Sequence, residues 1–311
     1  MIMKNFSPEN GHLENREREI IRVVSDFEDE RGEHPVIEVD KNAAGLFLFD
    51  IDGTLIDARK IHGPAAITLF RETFGGKFHL PFDDKEFTRR FIDAYVSHWG
   101  LGDRREFELL CIDFGITLGS EREKETTLDS MTARYGSLIE ASVRDSSPEE
   151  REAMFLPGVL PFLEEMQKRG IPAALVTGNV RKSAEAFAKH IGFGKYFVAG
   201  GFDDDPTVTD EPYRRASILQ SAVEKCRAKG LEFLPQQMAV FGDTPKDFEA
   251  TLHQGDARPY TFLFATGDRS LHTLAEVTGA SGTKRPWMVL PSFANIKLKD
   301  FFDSLERYRT L

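Results

Sequence analysis

The sequence predicts an α/β protein: a parallel sheet with helices on both faces and an all-α cap inserted into it. Three observations carry that expectation. Four apolar runs, residues 46–49, 172–176, 238–241 and 261–265, are continuous rather than alternating, as strands buried on both faces require. Each run ends in polar or small residues and has helical periodicity beside it, the pattern of crossover connections in a parallel sheet. Between the first and second runs the chain has little strand character and reads as helices beginning near Pro64, Asp84, Arg104 and Glu121. Breaks fall at Gly75-Gly76, Gly100 to Gly102 and Gly115.

Taken in order, residues 1–43 form an extension packed on the outside of the core. It is polar through 14–19, then carries Ile20, Ile21, Val23, Val24 and Phe27 at a spacing that predicts a helical stripe, and ends in a strand-like stretch from His34 to Asp40. The core is expected over 44–57 and 157–311, and the helical cap over 58–156. The first core run leads into Asp50-Ile51-Asp52-Gly53-Thr54. From Pro157 the α/β pattern returns, with Phe162, Leu163 and Met166 on one face of a helix that Gly170 closes. The later runs end at Thr177-Gly178-Asn179, at Gly242-Asp243-Thr244 and at Thr266-Gly267-Asp268. Ligands in such sheets sit beyond the carboxyl ends of the strands, so these endings outline the candidate site. Asp203-Asp204-Asp205-Pro206 reads as a solvated turn.

Composition narrows the partners. With 40 Lys and Arg against 51 Asp and Glu, the net charge is -11, so nucleic acid and anionic membrane are repelled on average. A small anionic substrate remains compatible, because a metal ion and one or two cationic side chains can reverse the potential inside one pocket. Cys111 and Cys226 are too few for a disulfide framework or zinc cluster and read as buried thiols. Residues 1–20 contain no apolar run of the signal-peptide kind, and no stretch approaches about 20 apolar residues, so a cytoplasmic protein without membrane contact is expected. Nothing in the sequence indicates a homo-oligomer or excludes one.

The chemistry begins with Asp50 and Asp52, two residues apart at a strand end and able to project toward one opening. Paired carboxylates there repel unless they share a proton or a cation. Mg²⁺ suits them, since it takes hard oxygen ligands, keeps several waters and binds through one or two carboxylates plus substrate phosphate. Asp243, with Asp247 four residues on, adds carboxylate at the end of another strand.

DIDGT, then VTGN at a strand end, then VFGDTPKD resemble the motif series of the haloacid dehalogenase superfamily, in the branch whose helical cap follows the first motif, similar to phosphoglycolate phosphatases. The resemblance spans residues 45–294 and implies a Rossmann-like core. It implies that Asp50 is the nucleophile, forming an aspartyl-phosphate, and that Asp52 is the acid and base. It further implies that Thr177, with the backbone N–H groups of Gly178 and Asn179, holds phosphoryl oxygens. Mg²⁺ would be bound by Asp50, Asp243 and the backbone carbonyl of Asp52, with Asp247 ligating through water or orienting a cation. The family also places a Lys or Arg at a helix start after Thr177. Arg215, followed by Ile218, fits the arginine variant, with Arg214 as the alternative and the unchosen arginine expected to be solvated.

Substrate choice is expected in the cap. Lys60, His62, Arg89, Arg90, His98, Arg104 and Arg105 are within range of a second anionic group but read first as solvated side chains. Phe87, Phe91, Tyr95 and Trp99 fall at helical spacing and read as cap core, as do Phe107 and Phe114. The expected activity is Mg²⁺-dependent hydrolysis of a small phosphorylated metabolite. Its nearest rival is a phosphomutase using the same motifs. A carbon–halogen dehalogenase is disfavoured by the presence of both Asp52 and Asp243, and a non-catalytic phospho-ligand-binding relative by the presence of all three motif acids.

Overall fold

The computed structural model describes residues 19–40, 43, 45–75, 85–209, 213–253, 259–267, 270–280 and 287–308. The polar stretch 14–18, Gly76, Asp84 and Asp268 lie outside the described residues.

The chain opens with β1 (Ile20–Val24) and β2 (Val36–Asp40), paired antiparallel with Val23 opposite Ile37 and Ile21 opposite Val39. This corrects the expected helical stripe. Apolar residues at 20, 21, 23 and 24 satisfy either period over so short a window, and Ile and Val are β-branched, so pairing with the second strand decides the outcome. Val23, Ile37 and Val39 are buried, whereas Ile20, Val24 and Val36 stay exposed. Phe27, just beyond β1, is buried edge-on against Phe202 and fastens the extension to the core.

β3 (Leu46–Phe49) then enters the main sheet. A run of helices follows: α1 (Arg59–Phe74), α2 (Lys85–Ser97), α3 (Asp103–Asp113), α4 (Glu121–Asp145) and α5 (Pro148–Met154). The capping boxes at Ser120 and Ser147 mark two of their starts, as Ser followed three residues later by Glu predicts. The chain leaves and re-enters the core side by side: Asp57 N–H donates to Met154 O at 2.8 Å, and Leu156 N–H to Leu55 O at 3.0 Å.

The remaining elements alternate: α6 (Val159–Lys168), β4 (Ala173–Val176), α7 (Arg181–Ile191), β5 (Ala199–Gly201), α8 (Arg214–Ala228), β6 (Met238–Gly242), α9 (Pro245–Leu252), β7 (Tyr260–Phe264), α10 (Leu271–Ala280), β8 (Trp287–Leu290) and α11 (Leu298–Tyr308). The sheet order is β5-β4-β3-β6-β7-β8, with every pair parallel. This is the Rossmann-like core expected, with β3 between β4 and β6 and a helical insert after it.

Strands β5 and β8 extend the four apolar runs to six strands. Ala199-Gly200-Gly201 carries no branched apolar signal, and its smallness has a structural cause: a Cβ on Gly201 would lie 2.1 Å from Ile218 O of α8.

The pleat sorts β3 between two cores. Leu46 and Leu48 face Ile218, Leu219, Ala222 and Val223 of α8, while Phe47 and Phe49 face α6 and α11. On that second face the phenyl rings form a ladder across the strands. Phe49 stacks on Phe241 at 4.5 Å and Phe241 on Phe262 at 5.0 Å, with Phe162 and Phe293 closing over them. Among the described residues no helix is long and apolar enough to cross a membrane.

Because Phe241 touches rings on both neighbouring strands and on the covering layer, its truncation leaves a cavity that cannot easily collapse. Phe241→Ala is predicted to lower stability by about 3–5 kcal/mol, read as a fall in the denaturant midpoint at unchanged slope.

Candidate active site

The carboxyl ends of β3, β4 and β6 converge on one pocket whose outer wall comes from the helical insert. Asp50 leaves β3 with its N–H donating to Phe241 O at 2.9 Å, and its carboxylate is buried. The next residues turn sharply, with Leu55 N–H donating to Ile51 O and Gly53 N–H to Ile56 O. Gly53 has φ +72°, and a Cβ there would sit 2.1 Å from Asp243 Oδ2, so both conformation and space demand glycine. Gly267 approaches the same oxygen as closely; its Cβ would lie 1.8 Å away. Thr266 Oγ1 donates to Gly53 O and ties that loop to the first turn.

Asp50, Asp243 and Asp247 each offer an oxygen within 4.8 Å of the others. Burial raises the Asp50 pKa to about 7, with Arg215 opposing and Asp247 and Asp52 adding to the rise. Asp243 is pushed well above the usual carboxylate range by burial and then by Asp50 and Asp247. Its Oδ1 is a buried acceptor with no hydrogen-bond partner. Buried carboxylates that repel one another and leave an acceptor unmatched are suited to a small divalent cation.

Arg215 is the cation that the structure supplies. Its Nη2 lies 2.8 Å from Asp50 Oδ1 and 2.6 Å from Asp247 Oδ1, and its Nε donates to the same Asp247 oxygen at 3.0 Å. Asp247 Oδ2 accepts from Thr244 N–H at 3.0 Å and from Thr244 Oγ1 at 2.7 Å, which also caps α9. Both Asp247 oxygens are therefore engaged in orienting Arg215 and closing a helix start.

Arg214 is not the solvated side chain expected of the unchosen arginine. It is buried, and its Nε donates to buried Asp203 Oδ1 at 2.6 Å. The acidic loop is corrected with it: of its three aspartates only Asp204 is exposed. Asp205 accepts from Ser221, Lys225 and Arg181 at 2.6–2.7 Å. Consecutive acids suggest solvent by composition alone. Here, basic groups on α7 and α8 satisfy two of them.

Asp52 is held from both sides. Its Oδ1 faces His62 Nε2 at 2.9 Å, and its Oδ2 accepts from Asn179 Nδ2 at 2.6 Å. His62, read from sequence as a solvated side chain, is buried in α1, with Nδ1 2.6 Å from Tyr135 Oη. Tyr135 Oη lies 2.7 Å from Tyr95 Oη, so a relay of polar groups runs from the core motif through three helices of the insert. Burial pulls the His62 pKa down, but Asp52 and then Asp103 outweigh it, and the net shift is upward. Sequence reasoning missed His62 and Tyr135 because neither lies in a strand-end motif and one-face helical spacing does not separate a packed side chain from a polar contact.

Thr177, the first residue beyond β4, is fully buried, and its Oγ1 accepts from Asn179 N–H at 3.2 Å. Gly178 packs against the insert: a Cβ there would meet Gly102 Cα at 3.2 Å and Arg215 Nη1 at 3.4 Å. Asp103 clasps this loop twice. Its N–H donates to Gly178 O at 3.1 Å, and its Oδ2 accepts from Val180 N–H at 2.9 Å, at the N-terminus of α7. The structure thus brings Asp50, Asp52, Thr177, Gly178, Asn179, Arg215 and Asp243 to one pocket, with Asp247 behind Arg215.

Residues 45–253 match the haloacid dehalogenase-like hydrolases, and the chain belongs to that family. The probable phosphatase IndB of Dickeya dadantii is 28% identical over 152 residues, 49% of this chain and 56% of that protein, so the match spans little more than half of the curated relative. A β-phosphoglucomutase from Clostridium difficile has a similar fold, with TM-score 0.57 and 18% identity over 86% of this chain and 99% of its own. A predicted phosphoglycolate phosphatase from Haemophilus somnus is similar at TM-score 0.54 and 18% identity, covering 83% of this chain and 97% of that one.

The buried Asp103 carboxyl yields a pH prediction. Burial raises its pKa from 3.8 to about 7, with His62 and the Val180 N–H opposing. The folded state holds this proton more tightly than the unfolded chain, so the carboxyl's contribution to stability falls as pH rises between about 4 and 7. Asp103→Asn should therefore gain stability relative to the parent between pH 5 and pH 8, by about 2–3 kcal/mol in the double difference from urea unfolding at the two pH values.

Proposed function

We propose that the chain is a Mg²⁺-dependent phosphomonoester hydrolase acting on a small phosphorylated metabolite through an aspartyl-phosphate on Asp50. The observation that carries this reading is the pairing of two differently treated acids at one strand end. Asp50 is buried against Arg215 at 2.8 Å, whereas Asp52 is held at the pocket by His62 and Asn179. In the first half-reaction an Asp50 carboxylate oxygen attacks phosphorus. The bond from phosphorus to the leaving oxygen breaks, and Asp52 gives that oxygen its proton. In the second, Asp52 takes a proton from water as the water oxygen attacks phosphorus, releasing inorganic phosphate and restoring Asp50.

Arg215, Thr177 and the backbone N–H groups of Gly178 and Asn179 hold the phosphoryl oxygens, and Asp247 keeps Arg215 in place. Asp50, Asp243 and the Asp52 carbonyl are the residues that would hold Mg²⁺, which when bound neutralises the crowded carboxylates and the phosphoryl charge. Residues 58–156 serve as a cap domain over a core of 44–57 and 157–311, with 1–43 as an extension. The paired crossings at Asp57 and Leu156 are where that cap joins the core.

A phosphomutase is the second reading, favoured by the fold shared with a β-phosphoglucomutase and by a pocket walled on its open side by the insert. It differs only in passing the phosphoryl group to a second hydroxyl instead of water.

Phosphate release from a panel of monoesters, sugar phosphates and phosphoglycolate included, tests the proposal. Mg²⁺-dependent release is predicted, abolished by EDTA and reduced by about 10³-fold or more in Asp50→Asn. Release from no ester by folded protein contradicts hydrolysis. Conversion of one sugar phosphate to its isomer without release, followed by ³¹P NMR, selects the mutase.

A further inference from the structure

The insert's side of the pocket has a chemistry of its own. It presents the carboxyls of Asp103 and Glu106, one turn apart on α3, together with the rings of Tyr95 and Trp99. Asp103 and Glu106 are about as buried as the motif acids, yet among the described residues no lysine or arginine pairs with either. Glu106 has the Gly100 N–H as a partner, and Asp103 has the Val180 N–H. The one arginine on this wall, Arg59, is neutralised by Asp57, with Nη2 to Oδ2 at 2.6 Å. His62 bonds to Asp52 and Tyr135 and its charge also reaches Asp103, so among the described residues Glu106 is the acid of this wall with no cation beside it.

Buried carboxyls without a cation are costly to ionise, and a ligand that brings the missing positive charge removes that cost. The aromatic pair adds a second, independent indication. Tyr95 and Trp99 stand edge to face with centroids 6.0 Å apart, and both line the cavity. Aromatic rings lining a pocket with carboxyls attract organic ammonium groups, and Trp99, the less buried of the pair, is the ring a ligand meets first. A second phosphate or a carboxylate at the same place would meet like charge and find no free cation.

Resting on the phosphomonoester reading above, we infer that the substrate's organic half carries an ammonium group, received by Asp103, Glu106, Tyr95 and Trp99, and no second anion. Three phosphate esters of nearly equal length differ in the required way: 2-aminoethyl phosphate, 2-hydroxyethyl phosphate and 2-phosphoglycolate. Their ends are cationic, neutral and anionic.

Calorimetric binding of each to Asp50→Asn protein with Mg²⁺ tests the inference without turnover. The amine is expected to bind about tenfold or more tighter than the hydroxyl compound, and phosphoglycolate weakest of the three. Glu106→Gln, which keeps shape and removes the charge, is expected to bring the amine and the hydroxyl compound to within about threefold of each other. Equal affinities, a preference for the hydroxyl or carboxylate end, or no binding of any of the three overturns the inference. If Glu106→Gln does not fold, the order of the three ligands on Asp50→Asn still decides. Phosphate release by the parent protein is read separately. Tight amine binding without release keeps this inference and removes hydrolysis, whereas release from all three with no amine preference does the reverse.

Discussion

Too much negative charge in too little space governs the candidate site. Asp50, Asp243 and Asp247 bring oxygens within 4.8 Å of one another at the ends of β3 and β6 and at the start of α9, in a region that water barely reaches. Arg215 answers part of that charge by bridging Asp50 and Asp247. Asp243 is left with its buried Oδ1 unmatched, while the backbones of Gly53 and Gly267 close in on its Oδ2. A buried acceptor kept in so exact a cradle costs stability unless something completes it, and this constraint ties the fold to the proposed chemistry.

The surrounding structure is arranged to hold the cluster together. The phenyl ladder beneath Asp50 and Gly242 fixes the heights of β3 and β6, so their terminal carboxylates arrive side by side. Above it, the helical insert reaches down through three contacts of different kinds. His62 grips Asp52, Asp103 grips the loop between Thr177 and α7, and the backbone N–H of Arg104 points to Asp203 at 3.4 Å. Asp203 is itself the partner of Arg214, which neighbours Arg215. Movement of the insert would therefore be felt both at the proposed acid–base residue and at the proposed phosphate loop.

Much of this was legible in the chain itself, for physical reasons. Strands buried on both faces must be apolar throughout, and chemistry at their ends must be polar, so runs such as Leu46–Phe49 followed by Asp50 announce themselves. Glycine at 53 was visible as part of a motif, although its reason, the nearness of Asp243, was not. What stayed hidden depends on contacts between distant segments. β1 looked helical because its apolar spacing is ambiguous over five residues and its partner strand settles the matter. Asp203 and Asp205 looked solvated because their cations lie on α7 and α8. His62 and Glu106 are ordinary helix residues in sequence, and only the docking of the insert on the core turns them into pocket residues.

The central claim is that the crowded carboxylates form a divalent-cation site, and a Mg²⁺ titration followed by calorimetry and thermal unfolding, on the parent protein and on Asp243→Asn, addresses it most directly. The account predicts one bound Mg²⁺ per chain and a raised unfolding temperature for the parent, and neither effect in the variant. It also predicts that Asp243→Asn is the more stable of the two without metal, because the cost of burying a carboxyl that its neighbours keep from ionising has gone. No Mg²⁺ binding by the parent, together with a metal-free variant less stable than the parent, would contradict it.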